Sequence, residues 1–120
     1  MALNIVGGSV SPSTALTLNA QTGTTYTFVL TDANNTLVTA SNASAQTYTI
    51  PPNSSVAYPI GSQINIIQIG AGQVSFAQGS GVTIASNGAT ATAPKLRVQY
   101  SSATAIKVNT DSWYVVGDIA

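Results

Sequence analysis

Residues 25–30, which read TYTFVL, are the stretch that decides the fold class. Tyr26, Phe28 and Leu30 occupy every second position, and threonine or valine fills the positions between them. A period of two places alternate side chains on opposite faces of an extended chain. Aromatic and β-branched residues also fit a pleated surface well. The stretch therefore predicts a β-strand with one buried face.

The same alternation recurs along most of the chain, including residues 16–19 and 106–108. After the turn residues 32–35, which read DANN, residues 37–40 are predicted to return as the second strand of a hairpin. Roughly nine short antiparallel strands, about ten residues apart, predict an all-β, single-domain β-sandwich or β-barrel. Their spacing is too irregular to predict a solenoid repeat.

The alternation also predicts which side chains face the core near the end of the chain. Leu96, Val98 and Tyr100 are expected to point to one side of a strand. Lys107 lies between two aliphatic residues and is expected to point outward.

Residues 113–116 (WYVV) and 64–69 (INIIQI) are apolar on both faces of the predicted strand. A strand with two apolar faces is buried on both sides. Two explanations stay open: these are central strands covered by a loop, or one face contacts another subunit.

The start of the chain differs from the rest. Residues 1–14 contain a Gly-Gly pair and a proline, and Leu3, Ile5 and Val6 are the candidate contact residues there. The sequence predicts an N-terminal arm over 1–14 that adds a strand to a neighbouring subunit, followed by the β-domain over 15–120. A frayed terminus or an ordinary first strand is the alternative.

Charge is scarce. The chain has three basic residues, three aspartates and no histidine, cysteine or glutamate, whereas Ser, Thr, Asn and Gln make up 46 of its 120 residues. Three basic residues cannot form the footprint of a nucleic-acid binder.

No apolar run approaches the roughly 20 residues of a membrane-spanning helix, and no export signal is present, so we expect a protein made in the cytoplasm. Zero net charge favours association with copies of itself or another protein, with a monomer as the alternative.

The same composition argues against catalysis. A Ser-His-Asp arrangement is impossible without histidine, and no paired carboxylates or Ser-x-x-Lys spacing occur. Asp111 and Asp118 are predicted to flank the last strand without meeting. The sequence predicts no enzymatic activity, no cofactor and no metal site.

Binding is the remaining class of function. Large, rigid, amphipathic aromatic side chains are good interface anchors. The candidates are Tyr58, Tyr100, Trp113 and Tyr114, and each of them is alternatively a core residue. Glycan binding would use the same aromatics together with Asn, Gln and Asp, so it stays open.

Five stretches resemble, in order, a recurring β-domain of tailed-bacteriophage virion proteins: residues 48–64, 69–74, 80–84, 96–100 and 112–118. The resemblance implies a structural protein of the head decoration, head-fibre or tail-fibre type. It implies no catalytic residues.

Within that family, a small chain is similar to a capsid decoration (cement) protein, which implies a homotrimer on the capsid exterior that contacts the major capsid protein. The early arm and the face that includes the Trp113 strand are then expected to supply the contacts. The alternatives are a fibre module that binds a host surface glycan and a minor tail subunit.

Overall fold

The computed structural model describes residues 15–120 and confirms an all-β chain. The predicted arm over 1–14, with Leu3, Ile5 and Val6, lies outside the described residues. Residues 15–120 contain one short 3-10 helix, Leu30–Ala33. Their nine strands are β1 (Thr17–Gln21), β2 (Thr25–Thr27), β3 (Thr36–Ala40), β4 (Gln46–Ile50), β5 (Gln63–Gln68), β6 (Val74–Gln78), β7 (Thr83–Ala85), β8 (Ser102–Asn109) and β9 (Ser112–Gly117).

Strands β1 to β6 alternate between two sheets. Sheet A has the order β1-β3-β5-β8-β9-β7, and sheet B has the order β2-β4-β6. The chain therefore winds through three stacked coils, each giving one strand to each sheet. This is not a clear sandwich or barrel, and the expectation that no solenoid-like winding exists was wrong. The sequence spacing hides the winding because Leu18 pairs with Leu37, 19 residues on, whereas Leu37 pairs with Asn65, 28 residues on.

The predicted antiparallel arrangement was wrong for most strand pairs. Five of the seven pairs within residues 15–120 are parallel. The predicted hairpin between residues 25–30 and 37–40 does not form, since β2 and β3 lie in different sheets. The reason is local: the Asp32 carboxylate accepts the Val29 backbone N–H at 2.9 Å, and the backbone N–H of Asp32 donates to the Val29 carbonyl at 3.0 Å. The resulting 3-10 turn takes the chain across from one sheet to the other.

The inner faces of the two sheets enclose the core. In sheet B, Tyr26, Tyr48 and Phe76 occupy neighbouring register positions, and the ring centroids of Tyr26 and Tyr48 are 5.5 Å apart. In sheet A, Val38 pairs with Ile66, and both are fully buried. Burying one such side chain contributes about 1.5–3 kcal/mol, so the stacked aromatic and aliphatic rows hold the coils together.

Two glycines, which have no side chain, allow one corner of the winding to pack directly against another. The corner at residues 69–73 lies directly on the corner at 41–45, and the Gly72 N–H donates to the Asn42 carbonyl at 2.8 Å. A Cβ atom on Gly72 would lie 1.9 Å from the Ser44 carbonyl oxygen, and one on Gly70 would lie 2.5 Å from the Asn42 backbone nitrogen. The corner joins β5 in sheet A to β6 in sheet B.

Strand β8 ends the parallel winding because it runs antiparallel to both β5 and β9. Residues 97–101 before it form a turn, so Leu96, Val98 and Tyr100 do not share one side as predicted. Leu96 is buried, whereas Val98 and Tyr100 are exposed. The positive φ of Tyr100, 69°, interrupts the extended alternation on which the prediction depended.

The outward position predicted for Lys107 was also wrong, because this side chain is only 2% exposed. It shares the inner face of β8 with the small residues Ala103 and Ala105, which leave room for its aliphatic stem. Its ammonium group donates to Asn53 Oδ1 and to the Tyr58 carbonyl, both at 2.7 Å. The larger aliphatic residues of β8 lie on the outer face instead.

Candidate interaction surface

The outward-facing residues of sheet A form a broad face that carries no charged side chain. Strand register aligns them in rows, and we call this surface the sheet A face. Its most exposed large apolar side chains are Leu18 at 66%, Tyr114 at 53% and Val116 at 51%. One row contains Leu18, Leu37, Asn65, Thr104 and Val116, and the next contains Gln63, Ile106, Tyr114 and Ala85.

None of the charged side chains of residues 15–120 belongs to the outward-facing rows of sheet A. Asp32 and Lys107 are buried. Arg97 pairs with Asp118 through a contact of 2.7 Å. Charged groups oppose burial because they must lose water, so a face without them can be covered by a partner at low electrostatic cost. The remaining two charged residues are Asp111, which accepts the backbone N–H of Asn53 at 2.8 Å, and the exposed Lys95.

A turn at residues 97–101 presents a second apolar group beside the end of β9. Tyr100 is 68% exposed and Val98 48% exposed. Tyr100 has φ 69°, a left-handed conformation that costs an ordinary residue about 1–2 kcal/mol. Hydrogen bonds hold it there: the Val98 N–H donates to Ser101 Oγ at 3.1 Å, and Ser101 Oγ donates to Asp118 Oδ2 at 2.6 Å.

The Arg97–Asp118 pair completes this network. The guanidinium donates from Nε at 2.7 Å and from a terminal nitrogen at 3.0 Å, one bond to each carboxylate oxygen. Hydrogen bonds from Arg97 and then from Ser101 hold the pKa of Asp118 below its usual value. The turn is thus fixed from several directions while its tyrosine ring stays exposed, which is the arrangement expected of a preorganised contact residue.

The four predicted aromatic candidates separate into two groups. Tyr100 and Tyr114 are exposed and lie on or beside the sheet A face. Tyr58 and Trp113 are buried in the core, where their rings meet edge to face with centroids 5.2 Å apart. The Tyr58 hydroxyl donates to the Val29 carbonyl at 2.7 Å, and burial raises its pKa above the ordinary value. These two residues offer no surface to a partner.

Sequence reasoning missed several exposed apolar residues. Leu30 and Val98 were predicted on the core side of strands, yet they are 53% and 48% exposed. Leu18 and Val116, which are 66% and 51% exposed, were not named as contact candidates. The double-sided apolar pattern of residues 113–116 was the usable signal. Of the two explanations left open for it, the structure disfavours a covering loop, since no part of residues 15–120 buries Tyr114 or Val116.

A polar cavity of about 560 Å³ lies at the opposite part of sheet A, between β1 and the 3-10 helix. Its centre is the buried Asp32 carboxylate, which accepts from Asn19 Nδ2 at 2.8 Å and from the Tyr26 hydroxyl at 2.7 Å. Gln21 Nε2 donates to Asn19 Oδ1 at 2.8 Å. Burial, together with the hydrogen bond to Asp32, raises the pKa of Tyr26 to about 12. The cavity therefore offers uncharged amides and hydroxyls around one carboxylate.

Comparison with protein-family models, with curated proteins and with solved structures gives no match for this chain. Within residues 15–120, no group of three or more His, Cys, Asp or Glu side chains could hold a metal ion. No helix of the same part of the chain is long and apolar enough to cross a membrane.

Proposed function

We propose that this chain is a non-enzymatic structural protein of a tailed-bacteriophage virion, a decoration (cement) protein that trimerises on the capsid exterior. The observation that favours an assembly role is the uncharged sheet A face, with Tyr114 and Val116 exposed on β9, next to the edge strand β7. The five sequence stretches that resemble phage virion domains supply the phage assignment. They support it independently of the surface.

The sheet A face suits a contact that must hold in changing salt. Burial of apolar surface stabilises an interface by about 25 cal/mol per Å² and has no Coulombic part for ions to screen. The fixed Tyr100 turn adds an aromatic residue whose conformation is already restricted, so less entropy is lost on contact. A decoration protein is present in many copies on a capsid, so each such contact adds to the stability of the whole shell.

The first test is the solution mass of the purified protein, measured by light scattering at low and high salt. We expect the mass of a trimer at both salt concentrations. Tyr114→Lys places a charge in the sheet A face and should reduce the mass to that of the monomer. Thr47→Lys, at an exposed position on the outer face of sheet B, is the matched control and should leave the trimer intact. A monomer at high concentration for the unmodified chain contradicts the trimer.

The location on the particle needs a separate experiment. Phage particles purified from a lysate of the encoding organism are treated with gold-labelled antibody against this chain and imaged by electron microscopy. Label spread over the heads supports a decoration protein. Label confined to fibre tips supports the second candidate, and particles without label contradict both.

The second candidate is a fibre module that binds a neutral host-surface glycan, and the polar cavity favours it. Neutral sugars are recognised by amides and hydroxyls, which Asn19, Gln21 and Thr17 provide around the cavity, while the buried Asp32 carboxylate holds Asn19 in place by a hydrogen bond. Saturation-transfer NMR with a panel of neutral monosaccharides tests it, with Gln21→Ala as the variant and Gln99→Ala as the control. Signal that disappears only in Gln21→Ala would support this role.

A further inference from the structure

We propose that Lys107 and Asn53 form an intramolecular isopeptide bond, so that the mature chain is covalently closed between the β4–β5 corner and β8. This inference is independent of the proposed function, because it depends only on the geometry around the buried lysine. Lys107 Nζ lies 2.7 Å from Asn53 Oδ1. Since a carbonyl bond is about 1.23 Å long, the amine is no more than about 3.9 Å from the Asn53 carbonyl carbon.

The position of Lys107 is unusual for a lysine. It is 2% exposed, and both acceptors of its amine are neutral oxygens, Asn53 Oδ1 and the Tyr58 carbonyl. The one ion pair within residues 15–120 is Arg97–Asp118, so no carboxylate oxygen lies within 4.0 Å of this amine. A buried ammonium without a counter-charge is costly. Conversion of the amine to an uncharged amide removes that cost.

The surroundings hold the two reacting groups in place. Lys107 pairs across β8 and β9 with Trp113, whose ring packs edge to face on Tyr58. With Lys107 only 2% exposed, its amine is shielded from bulk water. On the other side, Asp111 Oδ1 accepts the Asn53 backbone N–H at 2.8 Å and so fixes the corner that carries the asparagine. Asp111 is a positioning residue. Two groups held in contact inside a protein react as if at very high concentration.

The step balances within the chain and needs no other reactant. A rotation of the Asn53 amide about its Cβ–Cγ bond presents the carbonyl carbon to the neutral amine. The Nζ–Cγ bond forms, the Cγ–Nδ2 bond breaks, and the former amide nitrogen leaves as ammonia. The proton that the lysine ammonium gives up leaves with it, so that the products are a secondary amide and an ammonium ion. Nothing is oxidised or reduced.

The sequence makes the bond easy to detect. Trypsin can cut this chain at only three places, after Lys95, Arg97 and Lys107. An unlinked chain, denatured and digested, releases residues 98–107 and 108–120 as separate peptides. A linked chain is not cut at Lys107, and residues 98–120 stay attached through Lys107 to residues 1–95, which contain Asn53.

The experiment is mass spectrometry of the full chain, purified in its folded state and incubated at neutral pH. We expect an intact mass lower than that of the sequence by one ammonia molecule, and a digest that contains the branched product. Lys107→Arg keeps the charge but has no nucleophilic amine, so it should have the unmodified mass. Lys95→Arg changes the other, exposed lysine and should keep the bond. Asp111→Ala should slow ammonia loss, and Asp111→Asn, which retains an acceptor oxygen, should restore the rate.

Two results overturn the proposal. The first is an intact mass equal to that of the sequence after prolonged incubation of the folded chain. The second is loss of ammonia with cleavage at Lys107 still complete, since a succinimide at Asn53-Ser54 would lose ammonia and leave the lysine free. Both results are measured on the protein without substitutions. They therefore do not depend on whether any of the variants folds.

Discussion

Substitution of Gly72 by alanine should destabilise the fold far more than the same change at Gly23. Both glycines lie in corners at the same side of the winding, Gly23 between β1 and β2 and Gly72 between β5 and β6. A Cβ on Gly23 would meet its nearest atom, the Thr25 carbonyl oxygen, at 3.6 Å, which is ordinary contact. A Cβ on Gly72 would lie 1.9 Å from the Ser44 carbonyl oxygen.

The expected loss at Gly72 follows from two effects. The corner must move away from the one beneath it by more than 1 Å, and such overpacking costs about 1–3 kcal/mol. The movement also weakens the hydrogen bond from the Gly72 N–H to the Asn42 carbonyl, worth about 0.5–1.5 kcal/mol. Together they predict a destabilisation of roughly 2–4 kcal/mol for Gly72→Ala. Gly23→Ala should be neutral, or stabilising by up to about 1 kcal/mol, through its effect on the unfolded chain.

Urea unfolding followed by tryptophan fluorescence measures both variants, because Trp113 is buried in the core. With a urea slope of about 2 kcal/mol per molar, the midpoint for Gly72→Ala should fall by roughly 1–2 M relative to Gly23→Ala. Equal midpoints for the two variants would refute the stacking of the 69–73 corner on the 41–45 corner.

Three further outcomes follow from the same structure. Tyr100→Gly relieves the left-handed strain, so thermal unfolding should show an unchanged or raised stability, by up to about 1 kcal/mol, while light scattering shows weaker association; a clear loss of stability would contradict this. Asn19→Ala removes a donor from the buried Asp32 carboxylate and should destabilise by about 1–3 kcal/mol in urea, and a change below about 0.5 kcal/mol would show that the bond is unimportant. Because the pKa of Tyr26 is raised to about 12, above the ordinary value near 10, its stabilising contribution is complete below about pH 10 and lost between about pH 10 and 12. Tyr26→Phe should make the loss of stability across that window shallower, and the remaining loss comes from Tyr48 and Tyr58, whose pKa values burial also raises.

The sequence predicts the strands well but not their partners. Alternation of apolar residues identifies an extended segment and its buried face, as at Tyr26 and Phe28, but it also places Leu30 on that face, whereas Leu30 begins the 3-10 helix and is 53% exposed. The alternation does not indicate whether the next strand pairs with this one in the same sheet or lies in the opposite sheet. That choice here depends on the 3-10 turn around Asp32 and on corners whose glycines lie against backbone atoms distant in sequence. Neither contact has a pattern that a single sequence shows.

The candidate surface was predictable in part. Tyr100 and Tyr114 were identified as possible anchors because of their residue type, and the double apolar pattern of residues 113–116 pointed to an exposed face. Lys107 could not be placed correctly, because the larger aliphatic residues of β8 face outward while alanines and the lysine face inward. Side-chain size favours the opposite orientation, and only the neighbouring corner, with its two oxygen acceptors, explains the observed one.

The corner between β4 and β5 is anchored at Asn53 and Tyr58, while Ser54 and Ser55 between these anchors are exposed. A guest peptide inserted between the two serines would start and end at fixed points of the subunit. Each doubling of the length of such a loop adds only about 0.6 kcal/mol of closure cost. The domain is therefore a scaffold on which a foreign epitope can be displayed without entering the core.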